Sequence, residues 1–134
     1  MIYLLDTNVC VQYLNGRSEA IRERIQQTDA DDIAICSIVK AELFYGAQRS
    51  QHPERTLARQ QQFLRLFVSL PFDDEAATVY GRIRAELAAQ GTPIGSNDVQ
   101  IAAIALAHDL TLVTHNTGEF SRVSGLRLED WEIG

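Results

Sequence analysis

Three short runs, IYLL at 2–5, IAIC at 33–36 and TLVT at 111–114, are apolar with little alternation. A strand with one wet face alternates apolar and polar residues; a strand covered on both faces does not. Between these runs the apolar residues recur at helical spacing, as in Ile21 and Ile25, or Ala76, Tyr80, Ile83 and Leu87. Buried strands alternating with helices define an α/β protein, a three-layer α/β/α sandwich around a central, mainly parallel sheet. The 134 residues suit one domain over 1–134, with no repeat or linker in the sequence.

The punctuation supports this order. Residues 7–14 read as a short helix ended by Asn15-Gly16, and Ser18 caps the next one. Ser37 caps a helix running through Glu42 to about residue 49, and Pro53 opens one carrying Leu57, Leu64, Phe67 and Val68. VSLPF (68–72) is an edge strand because of Pro71. Asp73 or Asp74 opens a helix that Gly91 ends. After the loop GTPIG (91–95), Ser96 or Asn97 caps a helix with Ile101, Ala102, Ala105 and Leu106, and LRLEDW (126–131) supplies a last strand.

Composition excludes several classes. No run of eighteen apolar residues spans a membrane, and MIYLLDTN is not a basic, signal-like leader, so a soluble cytoplasmic protein is expected. Cys10 and Cys36 have no metal-site spacing and read as buried free thiols. The three histidines, His52, His108 and His115, fall in expected surface segments, and no serine or cysteine nucleophile stands beside one. The net charge of −6 speaks against nucleic acid, but net charge governs solubility and steering rather than a local site. The bases are eleven arginines and one lysine, and the guanidinium fork suits phosphate.

The acids are more informative. In parallel sheets, ligands bind beyond the carboxyl ends of the strands. Asp6 directly follows the first strand, Asn116 and Glu119 follow TLVT, Glu42 lies early in the helix after IAIC, and Asp98 lies in the first turn after GTPIG. Singly, each has a bland reading: Asp6 and Asp98 as helix caps, Glu42 as a solvated helix residue, Asn116 and Glu119 as loop residues. Gathered at one sheet edge, they form a carboxylate cluster that needs a counterion. An all-oxygen ligand set favours Mg2+, with Mn2+ as the alternative, and phosphate-ester hydrolysis by activated water is the chemistry that follows.

The segments LLDTNVCVQYL, SIVKAELFYGA (37–47), PFDDEAATVYGRIRAEL (71–87), IGSNDVQIAAIALAHDLTLVTHNTGEF (94–120) and VSGLRLEDW (123–131) together resemble the PIN-domain ribonucleases. Among them they resemble the VapC toxins of type II toxin–antitoxin pairs. The resemblance implies Asp6, Glu42 and Asp98 as metal ligands and Glu119 as a fourth catalytic acid, with Asn116 standing where many members carry Asp. It implies supporting roles for Thr7 and Asn8 beside Asp6, and for Ser96 and Asn97 beside Asp98. It implies cleavage of RNA, with tRNA and the initiator anticodon loop as the expected target. It also implies a homodimer, higher toxin–antitoxin assemblies and a VapB-type antitoxin. Leu43, Phe44, Leu57, Leu64 and Phe67 are candidate walls of the antitoxin groove, and Arg49, Arg55 and Arg59 candidate RNA contacts.

Three rivals remain. A haloacid-dehalogenase-like phosphatase needs a second Asp two residues after the first, where this chain has Asn8. A receiver domain needs a lysine after a late strand, and the only lysine is Lys40. A non-catalytic PIN-like module that binds RNA or protein is countered by the retention of Asp6, Glu42 and Asp98 together.

Overall fold

The computed structural model describes residues 1–133 of the chain. Five parallel strands, β1 (Tyr3–Leu5), β2 (Ile33–Cys36), β3 (Val68–Leu70), β4 (Thr111–Val113) and β5 (Leu128–Glu129), form one sheet in the order β3-β2-β1-β4-β5. Every residue of β2 and β4 is buried, as expected of strands covered on both faces. The helices are α1 (Thr7–Leu14), α2 (Glu19–Gln27), α3 (Ser37–Gln48), α4 (Pro53–Leu64), α5 (Asp74–Ala89), α6 (Ser96–Ala107) and α7 (Thr117–Phe120). They pack in groups, α1 on α2 and α3, α3 on α4, and α5 on α6.

The strand order carries the functional consequence. The chain builds outward from β1 through β2 to β3, then returns to add β4 and β5 on the other side. Strand order therefore reverses between β1 and β4, which pair with Leu5 opposite Val113. A crevice opens at such a reversal, beyond the carboxyl ends of the two strands. Asp6 and Thr114 are the first residues past those ends.

Several local expectations are corrected. Ser37 and Ser96 are the first residues of α3 and α6 rather than their caps; the caps are Cys36 and Gly95, without side-chain bonds. Ser37 instead donates to the Leu70 carbonyl at 3.2 Å, tying α3 to β3. Helix α4 stops at Leu64, so Phe67 lies beyond it and Val68 opens β3, an edge strand as Pro71 requires. The last strand is shorter than LRLEDW, only Leu128–Glu129. Ser18 and Asp73 cap as expected, accepting from Ile21 N and Ala76 N. Gly91 follows α5 at φ +70°, a left-handed position that favours glycine. His108 is half-buried at the end of α6 rather than on an open surface. Both cysteines are free and buried, and burial pushes their thiols above the usual range.

Candidate active site

Asp6 is set by both adjoining strands. Its backbone N–H donates to the Val113 carbonyl of β4 at 3.0 Å. One carboxylate oxygen accepts from the Thr7 backbone N–H at 2.8 Å, which makes Asp6 the N-cap of α1. The other accepts from the hydroxyl of Thr114, also at 2.8 Å. Asp6 is thus a helix cap and also a nearly buried carboxylate, only 8 % exposed. Burial raises its pKa, against the lowering effect of the bonds from Thr114 and Thr7.

Glu42 and Glu119 are held in similar ways. The Thr7 hydroxyl donates to Glu42 Oε1 at 3.0 Å, so Thr7 links α1 to α3 through the acid rather than supporting Asp6 with its side chain. Asn116 Nδ2 donates to Glu119 Oε2 at 2.8 Å, and the Asn116 backbone N–H donates to Thr114 Oγ1 at 3.0 Å. Thr114 therefore has both roles of its hydroxyl filled, and it connects the Asn116–Glu119 loop to Asp6.

Asp98, in the first turn of α6, is near enough to the other three acids to feel their charge. Its carboxyl is pushed up to about 6, by burial first and then by the charges of Asp6, Glu119 and Glu42. Charge repulsion of this kind needs proximity. Among the described residues none of the four acids forms an ion pair; those present engage other acids, such as Glu129 with Arg24 and Asp109 with Arg127. An acidic centre with no protein cation favours a bound metal ion, and its all-oxygen donors suit a hard divalent one.

The other expected site residues are placed less centrally. Asn8 and Asn97 are exposed. Ser96 is exposed, 3.4 Å from the Tyr80 hydroxyl, to which Arg84 donates. The Ser96 bond, with the Arg84 bond and charge, lowers the Tyr80 pKa. Arg49 lies over the Tyr45 ring at 5.3 Å, and Arg55 lines an open hollow with His52 and Leu57. Arg59 donates to the Leu14 carbonyl and, alone of the three arginines, lines a cavity together with Thr7 and Glu42.

The five residues expected to wall one groove divide among three hollows. Leu43 lines the cavity beside Glu42, Leu57 the hollow with Arg55, and Phe44, Leu64 and Phe67 a third. Sequence reasoning missed Thr114, read only as the last residue of an apolar run. It also missed the one group of three metal-ligand side chains whose donor atoms lie within 4.8 Å of one another among the described residues, a closeness the four acids do not reach: His115 Nδ1 lies 2.9 Å from Asp130 Oδ2 and 2.6 Å from Glu132 Oε2. Nδ1 is hydrogen-bonded to Asp130 Oδ2, while Glu132 Oε2 is buried without a hydrogen-bond partner.

The comparisons with known proteins establish the family and the fold. Residues 3–126 match the model of the PIN domain family, and the chain belongs to that family. It is 45 % identical over 129 residues to the tRNA(fMet)-specific endonuclease VapC of Shigella flexneri, covering 96 % of this chain and 97 % of that one. Within the family it therefore stands with the VapC ribonucleases. The DNA-bound VapBC structure from Salmonella typhimurium superposes with a TM-score of 0.93 at 43 % identity, covering 98 % of both chains. VapBC2 from Rickettsia felis, bound to a DNA fragment from its promoter, superposes with a TM-score of 0.91 at 39 % identity, covering 98 % of this chain and 99 % of that one. No described helix is long and apolar enough to cross a membrane.

Proposed function

We propose that this chain is the toxin of a type II toxin–antitoxin pair, a magnesium-dependent endoribonuclease acting on tRNA. Residues 1–134 act as one PIN domain in the cytoplasm, as a homodimer held in check by a VapB-type antitoxin. The observation that carries the reading is the setting of Asp6 at the β1–β4 reversal, its two oxygens held by the Thr7 N–H and the Thr114 hydroxyl, with Glu42 tied to the same Thr7. The names of the relatives, including tRNA(fMet)-specific endonuclease, point to initiator tRNA as the substrate.

Asp6, Glu42 and Asp98 would hold the ion, with Glu119 as the fourth acid. Mg2+, or Mn2+ in its place, supplies acidity to a water molecule and neutralises charge developing on the phosphodiester. The chain's own residues do the positioning. Thr114 and the Thr7 backbone fix both oxygens of Asp6. The Thr7 hydroxyl fixes one oxygen of Glu42, and Asn116 fixes one of Glu119. Burial and the neighbouring acids raise the Asp98 carboxyl to about 6, so near and below that pH a share of it is protonated. Ion binding then requires that proton to leave.

Purified protein freed of antitoxin and incubated with total tRNA should cleave it with magnesium or manganese and leave it intact with chelator. Intact RNA under every condition would leave the non-catalytic binding module instead. Thr7→Val should lower kcat/KM about tenfold, the scale of losing a side chain that orients a ligand, and should raise the metal concentration needed for half-maximal rate. An unchanged metal requirement would remove Thr7 from the centre.

A further inference from the structure

Strands β4 and β5 run parallel with Val113 opposite Glu129, so the residues just past their ends meet. His115 stands there against the carboxylates of Asp130 and Glu132. The surrounding chain holds all three. The Thr114 N–H donates to the Glu129 carbonyl at 2.9 Å, which fixes the approach to His115. Trp131, between the two acids in sequence, is buried; its Nε1 donates to Glu129 Oε1 at 3.0 Å, and Arg24 lies over its ring at 4.7 Å. Asp130 Oδ1 accepts from the Glu132 backbone N–H at 3.0 Å, which leaves Oδ2 for His115.

The hydrogen bonds there do not close. Nδ1 carries at most one hydrogen, and Asp130 Oδ2 lies 2.9 Å away to share it. Glu132 Oε2, 2.6 Å from the same nitrogen, is buried with no hydrogen-bond partner. Among the described residues no arginine or lysine pairs with either acid; the arginine ion pairs engage Glu19, Glu86, Asp109 and Glu129. Two carboxylates, with side chains only 11 % and 22 % exposed, therefore share one imidazole nitrogen and lack a full counter-charge. One divalent cation among the three donors satisfies each of them and balances both charges.

The way in is through the imidazole. The ring that stands against Glu132 Oε2 is itself 60 % exposed, so it can turn outward while the turn holds the carboxylates in place. Donors about 2.1 Å from a tetrahedral ion stand about 3.4 Å apart. The three donor atoms already lie within 4.8 Å of one another, and the two closer pairs need to part by less than about 1 Å.

One nitrogen with two carboxylate oxygens also selects among cations. Imidazole suits zinc, whereas Mg2+ prefers oxygen ligands and keeps its waters. We propose that His115, Asp130 and Glu132 bind Zn2+, with the fourth position left to water, and that the ion fastens the loop after β4 to the turn Trp131–Ile133. The site is separate from the acidic centre, whose donors are all oxygen. Its loop carries Thr114 and Asn116, so zinc steadies the residues that hold Asp6 and Glu119.

The test is thermal melting of the full chain at neutral pH, stripped with chelator and returned to excess Mg2+ before Zn2+ is added. Asp98→Asn serves as the parent, because it weakens the acidic centre as a competing zinc site. Zn2+ should raise its melting temperature by about 5 °C or more. Adding His115→Ala or Glu132→Gln should cut the rise to less than about 1 °C. Each rise is read within one protein, so a lower baseline in a variant does not decide it. Glu132→Gln keeps the exposed imidazole and removes one charge, so zinc held by a lone surface histidine would survive it. Without metal, Glu132→Gln should melt no lower than its parent, because it removes an unpaired buried charge.

No rise in Asp98→Asn overturns the proposal, and so does a rise that survives His115→Ala or Glu132→Gln. A rise with Mg2+ alone that His115→Ala abolishes overturns the choice of zinc. Melting, not RNA cleavage, is the readout, so each of these results leaves the ribonuclease reading to its own test.

Discussion

Asp98→Asn should abolish metal-dependent RNA cleavage, by on the order of a thousandfold, and yet stabilise the metal-free protein at neutral pH. The first effect follows from losing a carboxylate at a centre worth several kcal/mol of charge stabilisation. The second follows from the carboxyl itself, pushed up to about 6 by burial and by Asp6, Glu119 and Glu42. The folded state binds this proton more tightly than the unfolded chain, whose aspartates titrate near 3.9. This group's contribution to stability is therefore fully present below about pH 4. It declines as pH rises through the window to about 6, and is lost above it. The raised pKa of Asp6 acts with the same sign.

Asparagine removes the penalty. Asp98 is half-exposed, so solvent and salt screen much of it, and the gain at pH 7 is about 1 kcal/mol, or about 4 °C in melting temperature. At pH 4 the two proteins should melt together. Magnesium or manganese should raise the melting temperature of the wild type at pH 7, by mass action on the folded state, and raise that of Asp98→Asn far less. A variant that melts below wild type at pH 7 in chelator would show that the carboxylate is not held among like charges.

The architecture was legible because its signals are local. Unbroken apolar runs mark strands covered on both faces, and each expected strand appears, the last one shortened. Asp6, Asp98 and Glu119 drew notice for a related reason, since they stand at boundaries that apolar patterning already marks, as Asp6 does after β1; Glu42, in the middle of α3, does not. The supports were not legible. Thr7 follows Asp6 by one residue, yet its hydroxyl serves Glu42, thirty-five positions away. Thr114 closes an apolar run and looks like one more strand residue, while its partner Asp6 lies 108 positions away. Side-chain direction across a strand pair depends on register, which short parallel strands do not announce in sequence. The cap errors have the same origin, because Ser37 and Ser96 carry the usual capping side chain but sit one place inside their helices.

Thr114→Val tests whether that unannounced residue is part of the centre. Valine matches threonine in shape, so the fully buried site keeps its packing and loses only the hydroxyl. Asp6 then has one oxygen unpaired in a nearly dry setting, and the Asn116 N–H loses its acceptor. An unsatisfied group of this kind costs about 1–3 kcal/mol. The Asp6 carboxyl should rise further, since the Thr114 bond is what lowers it most. A more basic Asp6 competes more strongly for its proton, so the metal concentration for half-maximal cleavage should increase, most clearly at pH 6. Cleavage itself should fall about 10–100-fold, as for other residues that orient a ligand. Thr114→Ser keeps the hydroxyl and loses one methyl; it should lose some stability to the small void but retain the metal requirement of wild type. The pair separates the two roles of the residue. If valine and serine lower stability alike and neither changes the metal requirement, Thr114 only fills the space at the end of β4. If serine keeps the requirement and valine does not, the hydroxyl that joins Asn116 to Asp6 belongs to the metal centre.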